Sequence, residues 1–233
     1  MSYFAISPSA LPASSRAMWV SIWTCGLSRV IAASAMSSAC GAESSIEFPT
    51  SVSQGSLIIG TLPPGTHARY AGRDLRTTPD NHVVFGVGRD EQGPVTVDVR
   101  ERDGSHDRIE IAVTPRDWPV ERIEGVPPAT VEPPPEIAER IRKEQARVVA
   151  ARQRDDARED FLERFKWPVE GRISGRFGSQ RVYVVNGRDV PKSPHPGMDI
   201  AVPQGTPVKA PAAGIVTFAD PSLYLTGGTV LID

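Results

Sequence analysis

The chain has 233 residues, 26 basic and 28 acidic, with a formal net charge of −2. So balanced a charge gives no electrostatic footprint for nucleic acid, and no apolar run reaches the roughly 18 residues of a membrane-spanning helix. The 22 prolines and 20 glycines predict short strands and many turns.

Between residues 1 and 45 only Arg16, Arg29 and Glu43 are charged. Arg16 precedes an apolar stretch, 17–27, and small residues follow from 32 to 42. One positive charge, a short apolar core and a small-residue exit make the pattern of a secretory signal, so 1–45 reads as a signal or leader segment. Cleavage sites are offered at Ala33-Ser34-Ala35 and at the stretch ending in Ala42. The long region before Arg16 and the interrupting Arg29 leave two blander readings, a disordered leader or a start codon placed too far upstream. A lipid anchor at Cys40 would want an aliphatic residue where Ser37 stands. Cys25 and Cys40 are the two cysteines, so nothing beyond them can form a disulfide or thiolate metal site.

Residues 52–118 read as a small β-domain. Strands are predicted at 56–59, 67–70, 74–77, 82–87, 95–99 and 108–113, punctuated by Pro63-Pro64-Gly65, Pro79-Asp80-Asn81, Gly93-Pro94 and Asp103-Gly104. Val95, Val97 and Val99 alternate with Thr96 and Asp98, the signature of a half-buried strand. Strands at this spacing favour a small sandwich or barrel. His67, His82 and His106 have no metal-ligand spacing and read as surface or edge-strand residues.

Residues 119–135 form a proline-rich connector, stiff and extended. Residues 136–165 contain no proline or glycine and carry eight acidic and eight basic side chains. A charged helix is predicted over 136–166, with Ile137, Ile141, Val148 and Val149 near one face. So sparse an apolar stripe suits a spacer or an arm docking on a neighbour.

The chemistry lies in 167–233. His195 and Asp199 are separated by Pro196, Gly197 and Met198, and proline with glycine argues for a turn rather than a helix. A turn can bring an imidazole and a carboxylate onto one ion, and N/O ligation suits Zn²⁺. Taken alone, the pair reads first as a histidine hydrogen-bonded to a nearby aspartate in a turn. Gly175, Gly178, Gly205 and Gly214 read as turn or bulge positions. Ile200, Val208, Ile215, Val216 and Phe218 read as strand core. Arg176 and Arg181 suit a peptide carboxylate or plain solvent exposure.

Three motifs occur in order: Gly171-x-Ile173-Ser174-x-x-Phe177-Gly178, His195-x-Gly197-x-Asp199-Ile200-Ala201, and Gly205-Thr206-Pro207-Val208-x-Ala210-Pro211-x-x-Gly214-x-Val216. Together they resemble the lysostaphin-type (LytM) zinc metallopeptidases, over about the first half of that family's catalytic module. The resemblance implies an antiparallel β-sheet groove holding one Zn²⁺, with His195 and Asp199 as the first two metal ligands. It also implies cleavage of the peptide cross-links of bacterial peptidoglycan.

The expected fold is mainly β: a small N-terminal β-domain, a long charged helical arm, then a truncated antiparallel β-sheet metallopeptidase module. The expected partners are peptidoglycan peptide stems, with association with other cell-wall hydrolases, in the periplasm or cell envelope. The family's third zinc ligand comes from a later His-x-His, and no histidine follows His195 here. The resemblance therefore implies half a site, no catalytic residue to name, and no hydrolysis by this chain alone. Such a half-built sheet should expose an unpaired strand edge. The alternative is a non-catalytic LytM-like protein that binds the wall or regulates another hydrolase. A lipoyl- or biotin-carrier barrel is a third reading, but Lys209 precedes Pro211 instead of occupying a hairpin turn.

Overall fold

The computed structural model describes residues 45–125 and 133–233, together with the backbones of two strands nearer the N-terminus, Ser2–Pro8 and Ala17–Trp23. The chain is mainly β and divides into two compact units. No helix among the described residues is long and apolar enough to cross a membrane. Apart from those two strands, the segment read as a leader lies outside the described residues, as does 126–132 of the proline-rich connector.

One unit takes Cys25–Asp117 with Asp155–Glu159. After β1 (Ser2–Pro8) and β2 (Ala17–Trp23) of the other unit, its strands are β3 (Ser51–Ser53), β4 (Leu57–Thr61), β5 (His67–Tyr70), β6 (Arg73–Asp74), β7 (His82–Gly86), β8 (Val95–Arg100) and β9 (His106–Thr114). They form an open five-stranded sheet in the order β3-β9-β8-β5-β6 and a separate antiparallel pair, β4-β7, with no closed barrel among the described residues. Both sheets feed one core, in which Val97 and Ile111 meet Ile58, Val83 and Phe85. The alternation read in β8 holds: Val95, Val97 and Val99 are buried and Asp98 is exposed. The strand predicted over 74–77 stops at Asp74. Thr78 instead accepts the His82 N–H on its hydroxyl at 2.9 Å, closing a turn in which Asn81 takes a left-handed φ of 64°. His67 and His106 are exposed, and His82 Nδ1 lies 3.2 Å from Glu159 Oε1.

The other unit takes Met1–Thr24, Trp118–Arg154 and Asp160–Asp233. Its elements are β10 (Val120–Ile123), α1 (Pro135–Ala151), β11 (Arg172–Gly175), β12 (Gln180–Val185), β13 (Arg188–Pro191), β14 (Met198–Pro203), β15 (Val216–Leu223) and β16 (Gly227–Ile232). Two sheets result, β11-β14-β2-β1-β16-β15 and β10-β12-β13. The β1-β2 hairpin sits inside the larger one: β2 pairs antiparallel with β14, Val20 opposite Ile200, and β1 with β16, Phe4 opposite Val230. The expected bare edge on the 167–233 half-sheet is therefore covered on both inner strands. Ile200 and Val202 alternate onto a small core with Val169. Val216, read as core, is 59% exposed, because its strand starts on the outer edge.

Two further expectations are corrected here. The proline-rich connector contains a strand, since Val120–Ile123 pairs in parallel with β12. The charged helix ends at Ala151 instead of running to 166. Beyond it Asp155 is held by Arg76 Nε at 2.7 Å, and Asp156 accepts the Arg158 N–H at 3.1 Å. An aspartate that accepts a backbone N–H two residues on, as Asp156 does, favours a turn over helix continuation.

Helix α1 docks on the β15 edge through polar groups. Arg140 Nη2 donates to the Ser222 carbonyl at 2.9 Å, and the Tyr224 N–H donates to Glu144 Oε2 at 2.7 Å. Arg147 Nη2 lies 2.9 Å from Asp220 Oδ2 and its guanidinium stacks over Phe218. Burial pushes the Glu144 carboxyl up, but hydrogen bonds from Arg140 and the Tyr224 N–H outweigh it and leave it below the ordinary carboxylate range. Asp220 is also lowered, first by the Ser222 N–H and then, against burial, by Arg147. Carboxylates depressed in the folded state contribute stability above their unfolded values, near 4, and lose it as pH falls through the folded ones. Docking of α1 should thus be intact at neutral pH and weaken below about pH 4. Exchange protection of the Tyr224 amide, followed by NMR down the pH series, should fall there; protection unchanged at the acid end would refute it.

Candidate metal-binding site

His195 lies in the loop between β13 and β14, and Asp199 is the second residue of β14. Strand alternation turns Ile200 and Val202 to the core, which leaves Asp199 on the opposite face. The His195 backbone is clamped to the turn before β12: its N–H donates to the Ser179 carbonyl, and its carbonyl accepts from the Gly178 N–H, both at 2.8 Å. Gly178 has a left-handed φ of 82°, and a Cβ there would overlap the Trp118 ring. That ring meets Phe177 edge-on at 5.9 Å, so the motif aromatic and its glycine form one support beneath the histidine.

His195 is 2% exposed and its Nε2 stands 3.2 Å from Asp199 Oδ1. The spacing thus does bring the two side chains together, with one residue on the loop and the other on the strand. Arg181, from β12, places Nη2 3.1 Å from the other carboxylate oxygen, Oδ2. Arg181, expected at a peptide carboxylate or in solvent, turns inward instead. Arg176 stays exposed, its N–H donating to Glu121 Oε1 at 3.3 Å.

Gly175 faces Asp199 across the β11-β14 pair, next to a register shift after Ile173. A Cβ at this position would stand 2.7 Å from Asp199 Oδ2 and 2.8 Å from His195 Cε1. Only a glycine leaves that cradle open. Among the described residues, the buried Ser179 Oγ, Arg181 Nε and His195 Nδ1 have no hydrogen-bond partner. A buried polar atom left without a protein partner marks a place that takes up a further polar species. Among the described residues no group of three or more His, Cys, Asp or Glu is arranged to hold a metal ion. The pair and Arg181 can therefore offer one imidazole nitrogen, one carboxylate oxygen and a fixed positive charge.

Residues 193–233, which contain both members of the pair, match the family model of peptidase family M23. No curated protein matches the chain.

Proposed function

We propose that residues 167–233 are part of a zinc metallopeptidase site of the M23 kind, with His195 Nε2 and Asp199 Oδ1 as metal ligands and peptidoglycan cross-link peptides as the substrate class. The observation that carries this is the 3.2 Å separation of the two atoms inside the matched segment. Nitrogen and oxygen donors about 2.0–2.2 Å from one tetrahedral Zn²⁺ stand about 3.4 Å apart, so the residues present fit that ion. The cradle left by Gly175 and the orphaned His195 Nδ1 agree with it.

This chain's residues would bind and orient. His195 is fixed by two backbone hydrogen bonds, and Asp199 by its strand, by Arg181 and by the space opposite Gly175. A zinc ion held there would lower the pKa of its bound water to about 7 and polarise a peptide carbonyl. General-base and oxyanion-binding roles need further groups, and within these 233 residues His195 is the only histidine of the matched segment. The second reading, a wall-binding or hydrolase-regulating protein, rests on that same scarcity of ligands. Export to the cell envelope belongs to either reading.

Zinc titration against a chromophoric chelator tests the proposal. The wild-type chain should take up one Zn²⁺ weakly, and His195→Ala and Asp199→Asn should each abolish uptake. Uptake indifferent to both substitutions would overturn the assignment. Muropeptide cleavage by the 233-residue chain would overturn the two-ligand reading of its chemistry.

A further inference from the structure

We infer that Arg181 is a positioning residue for the metal pair: it holds one oxygen of Asp199 so that the other alone is offered beside His195, which favours Zn²⁺ over hard cations such as Ca²⁺. The inference rests on the metal-binding reading of His195 and Asp199 given above.

A carboxylate on a strand rotates freely enough about its last torsion to present either oxygen, or both, to an ion. Here its two oxygens are already divided. Oδ1 faces His195 Nε2 at 3.2 Å, and Oδ2 meets Arg181 Nη2 at 3.1 Å. The arginine side chain is only 25% exposed and the aspartate 14%, so their attraction is screened less than on an open surface. Their origins make the contact rigid. Arg181 comes from β12 of the three-stranded sheet and Asp199 from β14 of the six-stranded one. The Ser179 and Gly178 backbone bonds to His195 tie the start of β12 to the loop entering β14.

Gly175 completes the device. The oxygen that a Cβ at 175 would press upon, Oδ2 at 2.7 Å, is the one Arg181 occupies, so the missing side chain keeps that oxygen reachable. With Oδ2 engaged, Asp199 acts as a one-oxygen ligand. Calcium sites gather six to eight oxygens and often use both oxygens of a carboxylate, whereas zinc accepts one oxygen beside an imidazole in a four-ligand shell. A fixed guanidinium also lowers the site's net negative charge, to the detriment of ions that depend on charge alone. Lysine would keep the charge but lose the planar fork that fixes direction.

The test compares wild type with Arg181→Met and Arg181→Lys, each checked for an unchanged amide fingerprint spectrum. Zinc affinity is read by chelator competition and Ca²⁺ binding by titration of the metal alone. Arg181→Met should weaken zinc about 10–100-fold, the usual loss for a partner that orients a ligand, with Arg181→Lys between it and wild type. The preference for Zn²⁺ over Ca²⁺ should shrink in parallel. In metal-free protein, NMR of the Arg181 guanidinium should show rotation about its Nε–Cζ bond slowed in wild type and freed in Asp199→Asn. Zinc affinity of Arg181→Met within twofold of wild type would overturn the inference while leaving the metal site standing. A freely rotating guanidinium in the metal-free wild type would do the same. No zinc uptake by wild type, with the guanidinium held, would overturn the metal reading itself and reduce Arg181 and Asp199 to a structural pair.

Discussion

Deleting residues 1–24 should open the six-stranded sheet at its centre. Ser2 to Ile6 pair with Ile232 to Gly228, and Ala17 to Ile22 pair with Pro203 to Met198. Without them the inner edges of β14 and β16 lose their ladder partners together. Each lost backbone hydrogen bond is worth about 0.5–1.5 kcal/mol net, so the deletion removes several kcal/mol from a domain whose whole margin is about 5–15 kcal/mol. Hydrogen exchange on the purified deletion variant should show protection collapsing in 198–203 and 227–232, while β8 of the other unit keeps its own. Protection unchanged in those two strands would show that the hairpin does not support the sheet. The result bears on the leader reading as well. Processing after residue 35 or 42 would produce the same loss, so the N-terminus of the protein recovered from its source decides between a leader and a pair of strands.

The second large effect is expected at Gly178. Its left-handed φ disfavours any β-carbon, and the site of that carbon is already filled by the Trp118 ring. Gly178→Val combines a left-handed penalty of about 1–2 kcal/mol with overpacking of about 1–3 kcal/mol, for about 2–5 kcal/mol in urea unfolding. Zinc uptake should fall with it, because the same residue donates its N–H to the His195 carbonyl. Gly178→Ala in a Trp118→Ala background should recover the packing part but not the backbone part, which a double-mutant cycle separates. Equal costs in both backgrounds would refute the ring overlap as a cause.

How far the residues announced this structure varies by element. β8 was legible because alternation of Val95, Val97 and Val99 is a local pattern that a single half-buried strand imposes. The β12-β13 hairpin carries a local signal of its own. Asn186 and Gly187 both take positive φ, 50° and 74°, in a two-residue turn flanked by Val184, Val185 and Val190. β10 was hidden by its prolines: Pro119 precedes the strand, and its carbonyl accepts the Gln180 N–H at 2.8 Å. The end of α1 was hidden because helix propensity does not report the turn in which Asp156 accepts the Arg158 N–H.

The candidate site divides in the same way. His195 and Asp199 were singled out by residue type, motif order and resemblance, and the structure sets their side chains 3.2 Å apart. Gly175 and Gly178 were seen as special, but sequence could assign them only to turns. The reasons they are glycine, an opposing carboxylate and the Trp118 indole, arise across strands and a connector far apart in the chain. Arg181 was missed for its role because an arginine's long side chain can reach water or a partner with equal ease, and only strand packing selects the partner.

By itself the sequence determined the mainly β class, the alternating strands of the smaller sheets, the charged helix and the identity of the imidazole–carboxylate pair. These are set by local periodicity, turn chemistry and motif order. Tertiary structure decided which oxygen of Asp199 faces His195, which residue holds the other, and which strands fill the middle of the larger sheet. Such choices depend on contacts between segments remote in sequence, where no local preference carries the information.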